Sequence, residues 1–370
     1  MTGERYINIK YYSGIVLLFI LLISCTGMMP DPSARDDGLT SGDPQENTSN
    51  ELPPGYVPPG WSAPVLHYNT EEYFPAAVTH YLQAPGQYAN DSSFAIQGNT
   101  NNLLGPPSGG GSIAPDISSL VSLGMAGGSV TLKFEPPLAD HPDNIGGYDF
   151  IIFGNAYWYS GDPSSVWKEP AEIWIMKDEN SNTLPDDTWY LIPGSHLSDE
   201  DTPGDLIYDA ADPGDPPPED KKTAWWPSGT ASPLIIPNQL LLPDVLYDTS
   251  GAGESCWGYA DVTPALLLGD MSGADGSAGD NVMNDTEDYP EIDPVYFYTT
   301  PDTHGDSKID PGSGGGDAFK IEWAVDPDTF APANLDEVSW IKIVSGTQKT
   351  GILGEYSPEI DGAARVRRSQ

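Results

Sequence analysis

The stretch Ser129-Val-Thr-Leu-Lys-Phe134 decides the fold class. Val130, Leu132 and Phe134 alternate with Thr131 and Lys133, the two-residue period of a strand with one buried face. Further on, Tyr148-Asp-Phe-Ile-Ile-Phe153 is a more continuous apolar run and predicts a central strand. Glu172-Ile-Trp-Ile-Met176, Thr188-Trp-Tyr-Leu-Ile192, Ala318–Val325 and Val338–Val344 have the same short, β-branched and aromatic character. Within them Phe319, Ile321 and Trp323 alternate with Lys320 and Glu322, and Trp340 and Ile343 flank Lys342. One short helix is expected over Ala76–Gln83, because Pro75 suits a first helical turn. The pattern predicts a mostly-β fold, an antiparallel and jelly-roll-like β-sandwich with long acidic, Gly/Pro-rich loop insertions.

Composition agrees. Gly (40) and Pro (37) make up about a fifth of the 370 residues, which disfavours long helices. Asp and Glu number 55 against 15 Lys and Arg, a formal net charge of −40. Such a surface repels phosphate backbones, so nucleic acid is excluded as a partner. Ten Trp, nineteen Tyr and nine Phe are too many for a disordered acidic chain.

The N-terminus reads as an address. Arg5 and Lys10 precede the apolar run Ile15–Ile23, which is too short for a membrane span but suits a signal-peptide core. It ends at Leu22-Ile23-Ser24-Cys25, which resembles a bacterial lipobox and makes Cys25 the lipidation site. Residues 1–24 are then a lipoprotein signal peptide, and the partner is a membrane reached through the N-terminal lipid. The expected location is the bacterial cell envelope, at the outer membrane or cell surface. Residues 25–60, rich in Pro, Asp, Ser, Gly and Asn, read as a disordered acidic tether. Residues 61–365 read as a single domain with insertions near 199–222 and 270–294, and 366–370 as a tail. Cys256, beside Trp257, reads as buried filler, and with Cys25 lipidated no intramolecular disulfide forms.

Several blocks are similar to a group of exported bacterial cell-surface proteins. They are Leu104-Gly-Pro-Pro107, Val121-Ser-Leu-Gly124, Gly127–Phe134, Tyr148–Ala156, Glu169-Pro-Ala-Glu172 and Trp257-Gly-Tyr-Ala-Asp261. Gly314–Phe319, Trp323-Ala-Val-Asp326 and Leu353–Gly362 continue the series in order. The resemblance implies secreted or lipidated β-sandwich proteins of mostly unassigned activity, some of them associated with nutrient uptake.

The clearest local motif is Asp178-Glu-Asn180-Ser-Asn182-Thr-Leu184-Pro-Asp186-Asp187. Side-chain oxygens at alternate positions, with the Leu184 carbonyl between, give the spacing of a Ca²⁺ loop. Thr183 replaces the expected Gly and Trp189 the closing carboxylate, so the rival reading is an Asx-turn hairpin. Asp149, Glu172, Asp261 and Asp317 lie in the family-like blocks and form a second candidate Ca²⁺ cluster, with strand caps as the alternative. Ca²⁺ is thus the expected cofactor, in a structural role.

Enzyme signatures are scarce. His67, His80, His141, His196 and His304 make no H-E-x-x-H or close pair, and neither G-x-S-x-G nor a phosphate loop occurs. Glu169 and Glu172 are the carboxylate pair a hydrolase would use first. Tyr157, Trp158, Tyr159, Trp225 and Trp226 fall in loop contexts and are candidates for stacking on a sugar or planar ligand. The expected function is non-enzymatic binding of an extracellular glycan or small molecule by a surface-tethered protein with Ca²⁺-stabilised loops. A secreted carbohydrate-active hydrolase and a passive adhesion protein are the alternatives.

Overall fold

The computed structural model describes residues 73–90, 100–107, 118–159, 165–211, 225–247, 256–265, 314–350, 355–366 and 368. All of these fall in one contact unit, Pro53–Gln370. Cys25, the tether and the 270–294 insertion lie outside the described residues.

Thirteen strands are described: β1 (Ala77–Leu82), β2 (Val121–Ser122), β3 (Ser129–Ala139), β4 (Phe150–Gly154), β5 (Tyr157–Trp158), β6 (Val166–Trp167) and β7 (Ala171–Met176), then β8 (Trp189–Ile192), β9 (Gly204–Tyr208), β10 (Leu234–Gln239), β11 (Asp317–Phe319), β12 (Glu337–Ser345) and β13 (Glu359–Arg365). They form a five-stranded sheet, β1-β3-β12-β7-β8, a four-stranded sheet, β11-β4-β13-β2, and two hairpins, β9/β10 and β5/β6. Every strand pair is antiparallel. The mostly-β, antiparallel expectation holds.

Register explains the core. Leu132, Ile341 and Ile175 lie opposite one another across β3, β12 and β7, and Val130, Ile343 and Ile173 form the next row. Phe150, Ile152, Phe319, Ile360 and Ala363 of the other sheet join the same apolar cluster. Truncating one such Leu or Ile to Ala costs about 2–5 kcal/mol. The four-stranded sheet is also covered on its second face, where Ile151 and Phe153 of β4 meet Trp158, Val166 and Val366. Burial of both faces is why Phe150–Phe153 reads as continuous rather than alternating.

Three local readings are corrected. Ala76–Gln83 is not helical; Ala77–Leu82 is a strand paired with β3 through a bulge. Val78, Thr79 and Tyr81 favour an extended edge, and the exposed rim of β3 supplies its partner. The expected strand over Ala318–Val325 stops at Phe319 and becomes a 3₁₀ turn at Ile321–Trp323. The Asp149 carboxylate takes the Ile321 N–H at 2.7 Å and so ends the ladder. Finally, the 199–222 insertion contains β9, whose Leu206–Tyr208 pair with Leu234–Ile236 of β10.

Candidate functional site

Around the segments that flank β4, β6 and β13, four acids gather in the interior. Glu169 follows β6, Glu359 opens β13 opposite Ser122, and Asp261 is aligned by the Ala171–Ala260 bridge. Glu355 stands just upstream of β13, paired across a bridge with Thr350. Glu169, Glu355 and Glu359 retain only 7%, 5% and 3% of their exposure.

Asp261 is the organiser. In a left-handed conformation (φ 62°), its carboxylate accepts the Ala156 N–H at 2.6 Å and the Glu359 N–H at 3.1 Å. Gly154 makes room for it: a Cβ there would lie 2.4 Å from Asp261 Oδ1. Asp261 thereby ties the chain after β4 to the start of β13. Glu359 accepts the Ser357 hydroxyl at 2.8 Å and the Asn155 Nδ2 amide at 2.9 Å. Its carboxyl and that of Glu169 are close enough to act on each other. Glu355 Oε1 accepts the Gln87 N–H, and Gly86 leaves it room, since a Cβ there would stand 2.5 Å away. Glu355 Oε2 and Asn155 Oδ1 are buried with no hydrogen-bond partner.

Burial pushes all four acids above the usual carboxylate range, and their mutual repulsion adds to it. For Glu169 the next causes are the charges of Glu359 and Asp261; for Asp261 the next is Glu359. Glu355 is pushed up to about 8 by burial, and Glu359 is raised by burial against its hydrogen bonds. No Lys or Arg is among the principal influences on any of them. Lys168, next to Glu169, is buried and directs its Nζ at Cys256 Sγ, 3.7 Å away. Cys256 itself is buried among aromatic and aliphatic side chains, as a filler residue should be.

The β5/β6 hairpin carries an aromatic stack. Tyr157 faces Trp167 across the strands, with ring centroids 6.1 Å apart and planes 14° from parallel. Tyr159 stacks on the same Trp167 at 6.2 Å and remains 41% exposed. Tyr356 packs against Trp167, and the Glu169 charge acts on Tyr157. The stack therefore stands within electrostatic reach of the acids.

Sequence-predicted residues meet different fates. Asp178, Asn180, Asn182, Leu184, Asp186 and Asp187 lie together in the β7–β8 hairpin, exposed or partly so. Their hydrogen bonds are local: Asp178 accepts the Asn182 and Thr183 N–H groups, and Asp187 accepts from Glu179 and Asn180. The quartet Asp149, Glu172, Asp261 and Asp317 is not one cluster. Asp317 takes the Val262 N–H at 3.1 Å and acts on Asp261. Asp149 caps the opposite end of β4, bonded to Asn144 and Ile321. Glu172 lies on the other face of β7, against Trp174 Nε1 at 3.1 Å and Gln239 Nε2 at 3.4 Å. The stacking set also divides. Trp158 is buried beneath the four-stranded sheet and Trp225 beside Met125, Tyr208 and Ile236, so neither presents a ring to a ligand. Trp226 is half-buried, its Nε1 donating to the Thr230 carbonyl.

The sequence reading missed Glu355, Glu359 and Asn155. They sit in the blocks Leu353–Gly362 and Tyr148–Ala156, but their convergence comes from β-pairing across more than two hundred positions and leaves no local spacing to detect. It also missed exposed Trp257, whose ring meets Trp323 at 5.7 Å. Among the described residues, no three His, Cys, Asp or Glu side chains stand as a ready-made metal site, and no helix is long and apolar enough to cross a membrane. Compared with known families and curated proteins, the chain matches no family model and no curated protein.

Proposed function

We propose that this chain is a lipid-anchored protein of the bacterial cell envelope that binds an extracellular glycan or small nutrient without turning it over. The observation that carries the reading is the Tyr157–Trp167–Tyr159 stack, pre-ordered by hairpin pairing and ending in an exposed ring. Flat rings held in place bind sugar faces or planar ligands at low entropic cost. The lipobox-like Leu22–Cys25 supplies the anchor and the Pro-rich tether the reach. Ca²⁺ on the Asp178–Asp187 hairpin is part of this proposal, supported by the gathering of Asp178, Asn180, Asn182, Asp186 and Asp187 in one turn.

The hydrolase alternative has less support. Glu169 is buried with Glu359 acting on it and Glu172 is buried against Trp174, so the two are not a pair open to a cleft. Glycosidase carboxylates stand roughly 5–9.5 Å apart and open to substrate. A glycan and metabolite panel against the mature protein, read by tyrosine and tryptophan fluorescence, tests the proposal. Tyr159→Ala should weaken any hit at least about tenfold, the loss of one good stacking contact. No hit in the panel, or an unchanged affinity in Tyr159→Ala, removes the Tyr157–Trp167–Tyr159 stack as a binding surface. For the anchor, Cys25→Ala should abolish palmitate labelling and release the protein from membranes; retention of both refutes it.

A further inference from the structure

We propose that the outer face of the five-stranded sheet is a second binding site, for a sugar ring that carries one carboxylate, held by Lys342 and Lys133 among tryptophan rings. The site is separate from the Tyr157–Trp167–Tyr159 stack and does not rest on it.

Strand alternation places the residues. Leu132, Ile341 and Ile175 join the core, so their neighbours in sequence project from the opposite face of the sheet. In one row of that face Lys133 lies opposite Trp340, and Trp340 opposite Met176, which pairs in turn with Trp189. In the next row Lys342 lies between Thr131 and Trp174. Lys133 and Lys342 are therefore diagonal neighbours on β3 and β12, about 7–8 Å apart at the backbone. Both lysines, Trp174 and Trp189 are half-buried.

Donors on this patch are short of acceptors. Lys342 Nζ stands 5.2 Å from the Trp174 ring centroid and 4.8 Å from that of Trp189, a position that two cation–π contacts fix. No hydrogen bond or ion pair joins it to another described residue. Burial lowers the pKa of this ammonium, and the charge of Glu172 opposes the shift. Lys133 Nζ stands 5.8 Å over the Trp340 ring and pairs with Glu135 at 3.2 Å. The Glu135 side chain is 70% exposed, and a pair so open to water adds little. Beneath Lys133, Trp340 Nε1 is buried with no hydrogen-bond partner. Two ammonium groups and an indole N–H thus share one patch of a chain that has only 15 basic residues.

The patch chooses its ligand. Ammonium groups take a carboxylate through charge-assisted hydrogen bonds, and indole rings take the apolar C–H face of a sugar. A polyanion would meet the repulsion of a net −40, whereas a ring with a single carboxylate brings one negative charge to two ammonium groups.

Titration of the full chain with glucuronate, glucose and acetate, followed by calorimetry and tryptophan fluorescence, tests the site. Glucuronate should bind at least about tenfold more tightly than glucose, which lacks the charge, and than acetate, which lacks the ring. Lys342→Met keeps an apolar stem between the indoles and removes the ammonium; it should weaken glucuronate at least about tenfold. Lys133→Gln, a milder change nearer the rim, should weaken it about threefold and decides the matter if Lys342→Met does not fold. Lys320→Met removes a similar pair elsewhere, Lys320 over Tyr148 at 5.2 Å, already matched by Glu322, and should bind as wild type does. The proposal is overturned if wild type binds glucuronate no more tightly than glucose or acetate. It is equally overturned if Lys133→Gln and a folded Lys342→Met bind as wild type does, or if Lys320→Met loses as much as they do.

Discussion

The two ends of β7 carry acids of opposite fate. Just before the strand, Glu169 enters a buried cluster whose members are raised by burial and by one another. Just after it, Asp178 begins a solvent-facing turn in which carboxylates accept N–H groups from their own neighbours. Residue type is the same and the physics is not. In water a carboxylate is at ease ionised, and its excess charge is screened within about 10 Å at ordinary salt. In the interior the same group must hold a proton, a donor or a cation. A net charge of −40 is therefore a formal sum, since burial raises several of the acids counted in it above the usual carboxylate range.

Breaking each end should give unequal results. Asp261→Ala strips the acceptor from two buried N–H groups and should cost about 3–5 kcal/mol, against about 1 or less for Asp187→Ala on the exposed side. Urea unfolding of both variants checks this; equal losses would erase the distinction between the two ends. A second contrast uses Glu172, within β7 itself and pushed up to about 8 by burial, opposed in part by Trp174 and Lys342. In the unfolded chain it ionises near its ordinary value of about 4.3. Between those two pH values the folded state holds a proton that the unfolded state has lost. Stability should fall as pH rises through that window, then level off above about 8. The loss should be on the order of 2–5 kcal/mol, and Glu172→Gln should flatten it. Thermal melts at pH 5 and pH 8.5 decide, and parallel curves for wild type and variant would contradict the assignment. Smaller again is Gly86→Ala, whose Cβ would press on Glu355 Oε1; about 1–2 kcal/mol is expected. Gly105→Ala, with open space around it, should be nearly neutral.

The same contrast explains what was legible beforehand. β3, β4, β7 and β12 were readable because alternation or a continuous run is written in consecutive residues. The hairpin at 178–187 was readable because its Asp and Asn spacing is local. β1 was misread as a helix, since only the waiting edge of β3 decides its state. The strand expected through Val325 was cut short by a side chain 172 positions away, Asp149 on the Ile321 N–H. Trp158 and Trp225 look like loop aromatics in sequence, but both pack into buried apolar clusters. Of the interior cluster, Glu169 was named for another role, and Asp261 was grouped with Asp317, which does act on it, and with Asp149 and Glu172, which lie elsewhere. The other neighbours of Asp261 arrive through β-pairing of Glu359 with Ser122 and through the Ala171–Ala260 bridge. Nothing in the spacing of Glu169, Asp261, Glu355 and Glu359 announces that they meet.

The smallest effect separates local order from metal binding at the exposed end. Asp178→Asn with Asp187→Asn keeps a side-chain acceptor at each position, so the Asx turns that now use Asp178 and Asp187 can re-form. In chelator the double variant should stay within about 0.5 kcal/mol of wild type, as exposed substitutions generally do. In millimolar Ca²⁺ the two should part, because Asn is a neutral ligand and replaces two of the charges that give a Ca²⁺ loop its affinity. A gap that opens only with Ca²⁺ assigns the hairpin a cation. Curves that coincide in both conditions leave Asp178–Asp187 as a turn held by its own amides, and the acid at this end of β7 is then a device for making a tight, soluble connection to β8.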